Sequence, residues 1–124
     1  MFFARRAGMK FINRGDPAGW DFDKNDFTCD SSWHALSLAS IVPANTKIVE
    51  IGIEAQRPDT SRLIQFCTAG YTNRVNASWL YMSVAGQFFT DKVSIYMGGS
   101  NIIDYKADNG VYTSLNMVVC GWWL

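Results

Sequence analysis

Few residues in this sequence could act as a nucleophile, a general base or a metal ligand. His34 is the only histidine, so a metal site built from several imidazoles is excluded, and a Ser-His-Asp or Cys-His arrangement would have to use this residue. It follows Trp33 in a strand-like run, where a histidine usually faces solvent or is hydrogen-bonded at a sheet edge. We therefore expect no catalytic residues, no cofactor and no enzymatic activity.

A second group with possible chemistry is a cluster of acidic and amide side chains. Asp21, Asp23 and Asn25 have the spacing that opens an EF-hand calcium loop. However, Asp26 stands where the sharp turn of that loop needs glycine, and Ser32 stands where the bidentate glutamate belongs. An EF-hand is therefore excluded. We expect no metal site, and an irregular calcium site near Asp21 and Asp23 stays open as an alternative.

Three cysteines, Cys29, Cys67 and Cys120, are an odd number without a short paired spacing. They support neither a disulfide framework nor a zinc knuckle.

The apolar run at residues 1–4 is too short for the core of a signal peptide, and the arginines follow this run instead of preceding it. We therefore expect synthesis in a cytoplasm and three reduced cysteines with structural roles.

Aromatic side chains supply the remaining candidate chemistry. Trp79 and Tyr81 are two residues apart in a strand-like run, so they lie on one face of it, and Tyr71 precedes them in a polar loop. Such a group could stack on sugar rings or receive a partner subunit. Core filling is the competing explanation for most aromatic residues. Tyr71, Trp79 and Tyr81 are therefore the candidate ligand-binding residues.

The elements that must position these residues are β-strands, because apolar and polar residues alternate with a period of two in several runs. Between residues 48 and 55, for example, isoleucine and valine alternate with glutamate and glycine. The predicted core consists of the apolar members of these runs, which are Val49, Ile51, Ile53, Ile64, Phe66, Leu80, Met82, Val93, Ile95, Met117 and Val119.

The number and spacing of these runs indicate the fold class. Strand-like runs, separated by turn-forming residues, are found at 9–13, 33–38, 49–55, 62–68, 79–84, 93–97, 102–106 and 112–122. Without a helical period anywhere, they predict an all-β fold, an antiparallel β-sandwich of seven to eight strands that is jelly-roll-like. We expect one domain over residues 1–124.

Turn-forming residues predict how the runs connect. We expect the runs before and after Pro43 to pair as the centre of the fold, and Asp108-Asn109-Gly110 to close a hairpin. Residues 15–32 are predicted to form an irregular loop that is held in place by its aromatic residues, among them Trp20 and Phe27.

Charge limits the partners that the chain could attract. Eleven basic and eleven acidic residues give a formal net charge of zero, so no overall field draws in nucleic acid or an anionic membrane. No apolar run approaches the length that spans a membrane. Near-zero charge also removes a barrier to self-association, and we expect partners that are copies of this chain or other proteins.

Several short motifs carry a family resemblance. They are Gly15-Asp16-Pro17-Ala18, Asp21-Phe22, the runs 33–38 and 41–44 with Lys47 and Val49, and the runs 103–107 and 118–123. Together they resemble small structural proteins of tailed phages and prophages, from Gly15 to the C-terminus. The resemblance implies a virion component, a β-sandwich of the fibre-tip or capsid-surface type (head fibre, tail fibre or capsid decoration) that assembles as an oligomer, usually a trimer.

Both chain ends carry the candidate subunit-interface residues. Phe2 and Phe3 precede two arginines in a possible docking arm at residues 1–8, and Trp122, Trp123 and Leu124 are consecutive. Successive strand residues point to opposite faces, so one of the two tryptophans must face outward, where a neighbouring copy could cover it. An intramolecular cover by the N-terminal loop is the alternative.

We therefore predict a non-enzymatic virion structural protein that mediates assembly and, on the resemblance, host attachment. Its expected partners are copies of itself, other virion proteins and a host surface glycan. The alternative function is a carbohydrate-binding, lectin-like β-sandwich module.

Overall fold

Eight strands form two four-stranded sheets in the computed structural model, which describes residues 8–124. The strands are β1 Phe11–Asn13, β2 Trp33–Ser37, β3 Ile48–Gln56, β4 Arg62–Thr68, β5 Ser78–Met82, β6 Phe89–Tyr96, β7 Ile102–Ala107 and β8 Ser114–Trp123. Each strand overlaps one of the runs predicted from the alternating pattern. The all-β prediction is confirmed.

The strand order identifies the topology. One sheet has the order β1-β8-β3-β6 and is called the β1 sheet; the other has the order β2-β7-β4-β5 and is called the β2 sheet. Antiparallel pairs join β1 to β8, β2 to β7, β3 to β6 and β4 to β5, as when one long hairpin is rolled into two facing sheets. This arrangement is the eight-stranded jelly roll, and the predicted fold class is confirmed.

Two predicted strand pairings are wrong. The runs on either side of Pro43 became β2 and β3, which lie in different sheets, and the Asn109-Gly110 turn joins β7 to β8, which also lie in different sheets. Turn-forming residues mark where the chain reverses, but in a jelly roll the reversal crosses from one sheet to the other. The backbone of this second turn is bonded to Arg57, which donates to the carbonyl oxygens of Asp108 and Asn109 at 3.1 and 2.8 Å.

The core lies between the inner faces of the two sheets. All eleven predicted core residues are buried. Leu38, Met97, Ile103 and Leu115 join them as fully buried side chains. Phe27, from the long loop between β1 and β2, also reaches the core, where its ring packs edge-on against Tyr105 at 4.9 Å.

The sandwich therefore buries one face of each sheet and leaves two outer faces for function. The β1–β2 loop runs along the edge of β8 and borders the outer face of the β1 sheet at residues 15–20. Residues 69–77 lie on the outer face of the β2 sheet. None of the described residues forms a helix long and apolar enough to cross a membrane.

Candidate functional site

The outer face of the β1 sheet carries a groove of about 290 Å³. Gly52 forms its floor, Val118 and Cys120 of β8 line it, and Trp20 from the β1–β2 loop stands beside it with 48% of its surface exposed. Two further hollows, of about 280 and 250 Å³, share Val118 with this groove. The base of this hollow is apolar, and Thr90, Asp91 and Lys92 of β6 form a polar rim on one side. We call it the Gly52 groove.

Gly52 makes the groove possible because a glycine within a strand leaves a gap in the row of outward side chains. A Cβ atom at this position would lie 3.4 Å from Val118 Cγ1 and 3.5 Å from Cys120 Sγ, which is ordinary contact. The sequence pattern had assigned Gly52 to the polar outward set with Glu50 and Glu54. A glycine among these outward residues is the sequence feature that could have indicated a groove.

An arginine–aspartate pair fastens the β1–β2 loop beside the groove. Arg14 and Asp21 form a bidentate ion pair, in which Arg14 Nη2 donates to Asp21 Oδ1 at 2.8 Å. Asp21 also accepts from the backbone N–H of Val119 at 2.7 Å, and Arg14 donates to the Val119 carbonyl oxygen at 3.2 Å. The two side chains thus make the hydrogen bonds to the Val119 backbone that a neighbouring strand would otherwise make. The hydrogen bond with Asp21 raises the pKa of Arg14.

The C-terminal tryptophans point to opposite sides of β8, as their adjacency predicts. Trp122 packs against the core, and the Trp123 ring packs at a tilt of 54° against Phe11 of β1, with ring centres 4.6 Å apart. The outward tryptophan is therefore partly covered within its own chain by Phe11 of β1. Leu124 pairs with Lys10 through two backbone hydrogen bonds of 3.0 Å. The predicted interface residues Phe2 and Phe3 lie outside the described residues.

On the outer face of the β2 sheet, a second arginine–aspartate pair fastens the β4–β5 loop. Asp104 of β7 accepts from Arg74 Nη2 at 2.9 Å and from the Gly70 backbone N–H at 3.0 Å. The Arg74 guanidinium lies 4.2 Å from the ring centre of Trp33. The loop thereby covers Asp104 and Cys67, both of which are buried, and leaves the other half of the sheet face open.

Trp79 and Tyr81 lie on this open half, with 60% and 49% of their surfaces exposed. Strand register places Trp79 beside Gln65, and Gln65 beside Lys106, in one row across β5, β4 and β7. Tyr71 belongs instead to the β4–β5 loop, where it is 38% exposed and borders a hollow of about 250 Å³. The structure thus brings together two of the three predicted ligand-binding residues, and adds two polar neighbours that sequence reasoning did not select.

His34 occupies the edge strand β2. Its Nε2 lies 2.8 Å from Asp30 Oδ1, and this hydrogen bond lowers the pKa of Asp30. The ring is also 5.8 Å from that of Tyr105. A hydrogen-bonded histidine at a sheet edge is the structural role that the sequence favoured.

The acidic cluster forms turns. Asp26 accepts from the Asp23 backbone N–H and Asp23 accepts from the Asn25 backbone N–H, both at 2.8 Å. Among residues 8–124, no group of three or more His, Cys, Asp or Glu side chains is arranged to hold a metal ion.

Comparison with known proteins finds a solved structure of low similarity. No protein-family model and no curated protein matches the sequence. Among solved structures, the chain is similar to the coat protein of tobacco streak virus, with a TM-score of 0.41 and 10% identity over 93% of this chain and 83% of that one. The fold assignment rests on the strand order.

Proposed function

We propose that the protein is a non-enzymatic structural subunit of a phage virion, and that copies of it assemble through the outer face of the β1 sheet. The observation that carries the proposal is the apolar Gly52 groove on that face of a jelly roll, a fold used by viral capsid domains. The sequence resemblance to small phage and prophage structural proteins supports the same reading.

The surface around the groove has the composition of an association surface. Trp20 and Phe11 expose 48% and 40% of their areas on this face, and Val118 and Cys120 add apolar surface between them. Aromatic residues are enriched at protein interfaces, where they bury large rigid areas. Zero formal net charge leaves little long-range repulsion between copies.

Finer features of the proposal come from the resemblance and the chain ends. We propose a trimer of the fibre or capsid-decoration type, in which Trp122, Trp123 and Leu124 lie near the contact between copies. Phe2 and Phe3 would dock on a neighbouring subunit, because a short apolar arm gains most when it is buried against a partner. Attachment to the host is the outward-facing role of such a domain.

Removing Trp122–Leu124 is a poor test, since these residues also hold β1. The Trp123 carbonyl oxygen accepts from the Lys47 N–H at 2.8 Å, and Trp123 and Trp122 pair with Phe11 and Ile12. A truncated chain would lose part of a sheet together with any interface.

A charge placed in the groove tests assembly without removing a strand. Val118→Lys puts an ammonium group at the apolar base of the groove, close to Asp91 and Lys92 on its rim. Val84→Lys puts the same group on an exposed loop, where Val84 is 50% exposed. We expect the wild type and Val84→Lys to sediment as the same oligomer, and Val118→Lys to sediment as a folded monomer by circular dichroism. A wild type that stays monomeric at all concentrations would contradict the proposal.

Virion membership has a separate test. Genes that flank the coding sequence should encode capsid, portal or tail proteins. A neighbourhood of metabolic genes would contradict a virion role and leave the jelly roll as a cellular binding module.

A further inference from the structure

We propose that the Gly52 groove of one copy binds residues 1–7 of a neighbouring copy, a stretch that we call the 1–7 segment. The inference rests on the proposed assembly through the β1-sheet face and names what fills the groove. The 1–7 segment lies outside the described residues, and its sequence carries Phe2 and Phe3 followed by Arg5 and Arg6. This combination of apolar rings and positive charge matches the lining of the groove.

The side chains that line the Gly52 groove and the two hollows beside it carry an excess of negative charge. Asp16, Glu50 and Asp91 supply three carboxylates and Lys92 supplies one ammonium group, so the formal net charge of the lining is −2. Within residues 8–124, none of these four side chains forms an ion pair. Their charges therefore remain available to an occupant of the groove.

Charged groups next to the lining do not cancel this excess. Arg14 and Asp21 neutralise each other in their ion pair. Glu54 is the next outward residue of β3 after Gly52 and adds a further carboxylate. The turn at residues 23–26 contains two aspartates and one lysine. Each of these neighbours is therefore neutral or adds negative charge.

Two lysines lie at the far end of the β1 sheet. The Lys47 N–H donates to the Trp123 carbonyl oxygen, and Lys10 pairs with Leu124, so both lysines are at least five residues along the strands from the level of Gly52. That separation is about 17 Å or more, which exceeds the screening length of about 8 Å at physiological ionic strength. The two lysines therefore contribute little to the potential in the groove.

The sign of this charge decides between two ways in which copies can meet. A contact between two Gly52 grooves, face to face, would bring two negative linings together, and like charges across an interface oppose binding. The 1–7 segment instead brings two arginines, whose guanidinium groups form paired hydrogen bonds with carboxylates. A segment of one copy in the groove of the next is a head-to-tail contact, which can close into a ring such as the proposed trimer.

The base and sides of the groove suit the phenylalanine rings of the 1–7 segment. Val118 and Cys120 form the apolar base, and Trp20 and Phe11 stand beside it. The Phe11 ring lies across Gly121, where a Cβ atom would collide with it, so this wall is in place before a partner binds. Aromatic residues and arginine are both enriched at protein interfaces, and the 1–7 segment contains two of each.

Chain direction favours a neighbouring copy over the same copy. Lys10 and Leu124 are joined by two backbone hydrogen bonds of 3.0 Å, which extend the pairing of β1 with β8. The chain before Lys10 therefore leaves the sheet beyond the end of β8, whereas Val118 lies six residues, or about 20 Å, in the opposite direction. The 1–7 segment would have to reverse its direction to reach its own groove, and it reaches another copy without a reversal.

Cys120 gives a direct test, because its thiol lines the groove. In an Ala4→Cys variant of the full chain, oxidation by copper phenanthroline should form a disulfide between the new thiol and Cys120 of a neighbouring copy, seen as a ladder of linked chains on a non-reducing gel. Ala4→Cys/Cys120→Ser should lose the ladder. Val84→Cys, on an exposed loop, is the matched control and should give no linkage to Cys120. Linkage confined to single chains, or a ladder that persists without Cys120, would overturn the proposal.

Charge reversal tests the polar half of the contact. Arg5→Glu/Arg6→Glu and, separately, Glu50→Lys/Asp91→Lys should each raise the dissociation constant of the oligomer at least tenfold, measured by sedimentation. All four substitutions in one chain should restore assembly, because the reversed segment then meets a reversed groove. Circular dichroism checks that each variant is folded. Assembly that is unaffected by either pair, or that is not restored by the combination, would contradict the contact.

Phe2→Ser/Phe3→Ser separates this inference from the proposed function. We expect this variant to dissociate as Val118→Lys does. If the oligomer persists in Phe2→Ser/Phe3→Ser and is lost in Val118→Lys, copies meet through the groove and the 1–7 segment is not what fills it. A wild type that is monomeric at all concentrations would contradict both.

Discussion

The two outer faces of this jelly roll hold their loops in the same way but expose different surfaces beside them. On each face an arginine–aspartate pair fastens a long loop, Arg14 with Asp21 on the β1 sheet and Arg74 with Asp104 on the β2 sheet. The first loop borders an apolar groove floored by Gly52. The second loop borders an open strip with two exposed aromatic rings, Trp79 and Tyr81.

The contacts that we propose with partners lie on the outer faces, whereas the inner faces hold the fold together. Inner-face residues are apolar in both sheets and serve one shared core. Outer-face residues are free of that constraint, so one face can carry an association surface and the other a polar, aromatic binding surface. The following substitutions test this separation.

The largest effect is expected from the shared core. Phe66 is 1% exposed, and Phe66→Ala should lower the free energy of unfolding by roughly 3–5 kcal/mol, because it removes buried apolar surface and leaves a cavity. Urea unfolding followed by tryptophan fluorescence measures this change. A loss below about 1 kcal/mol would contradict the assignment of Phe66 to the core.

The two loop-fastening pairs should act separately. Asp21→Ala and Asp104→Ala each leave a partly buried arginine without its partner, at an expected cost of about 2–3 kcal/mol. Hydrogen exchange should accelerate in residues 14–32 for the first variant and in residues 69–77 for the second. Acceleration of both loops in either variant would show that the faces are coupled.

Tyr112 gives a pH-dependent test at one end of the sandwich. Burial raises its pKa to about 12 from 10.0, and its hydroxyl has no hydrogen-bond partner among the described residues. The unfolded chain loses this proton from about pH 10 and the folded chain only near pH 12, so stability falls as the pH rises through that interval. Tyr112→Phe should remove this part of the decline.

Urea unfolding across that interval checks the expectation for Tyr112. At neutral pH the variant should be within about 1 kcal/mol of the wild type, because the removed hydroxyl makes no hydrogen bond. Equal alkaline sensitivity in the two proteins would show that Tyr112 does not titrate in the folded state as described.

A smaller effect is expected in the labelling rates of the cysteines, which differ between the two faces. Cys67 is buried beneath the β4–β5 loop, whereas Cys120 is half-buried in the Gly52 groove. Burial raises the pKa of the Cys120 thiol, which slows labelling at neutral pH. Labelling mapped by mass spectrometry should find three free thiols in denaturant. Under native conditions, labelling of Cys120 alone should slow several-fold as assembly covers the groove; labelling that is independent of protein concentration would contradict this.

Sequence patterns predicted the strands and the core well because a sheet with one buried face needs an apolar residue at every second position. This requirement is the same whichever strands are paired. The pairing of strands was harder, since Pro43 and Asn109-Gly110 mark reversals without saying whether the chain stays in the same sheet. Which sheet a strand joins depends on contacts between segments that are far apart in the sequence, such as the Arg57 hydrogen bonds to the β7–β8 turn.

The candidate sites were predicted only in part, because strand pairing decides which residues become neighbours. Trp79 and Tyr81 share a face through their spacing, but Gln65 and Lys106 become their neighbours only through pairing between strands. The Gly52 groove required knowing that Trp20, which the sequence assigned to holding a loop, is left exposed beside β8.

The central claim is that the β1-sheet face joins copies of the protein while the β2-sheet face does not. Sedimentation of Trp20→Ser and Trp79→Ser side by side tests it most directly, because each replaces one exposed tryptophan and should leave stability within about 0.5 kcal/mol. We expect Trp20→Ser to weaken or abolish the oligomer and Trp79→Ser to sediment as the wild type does. The opposite pattern, with assembly lost only in Trp79→Ser, would contradict the account.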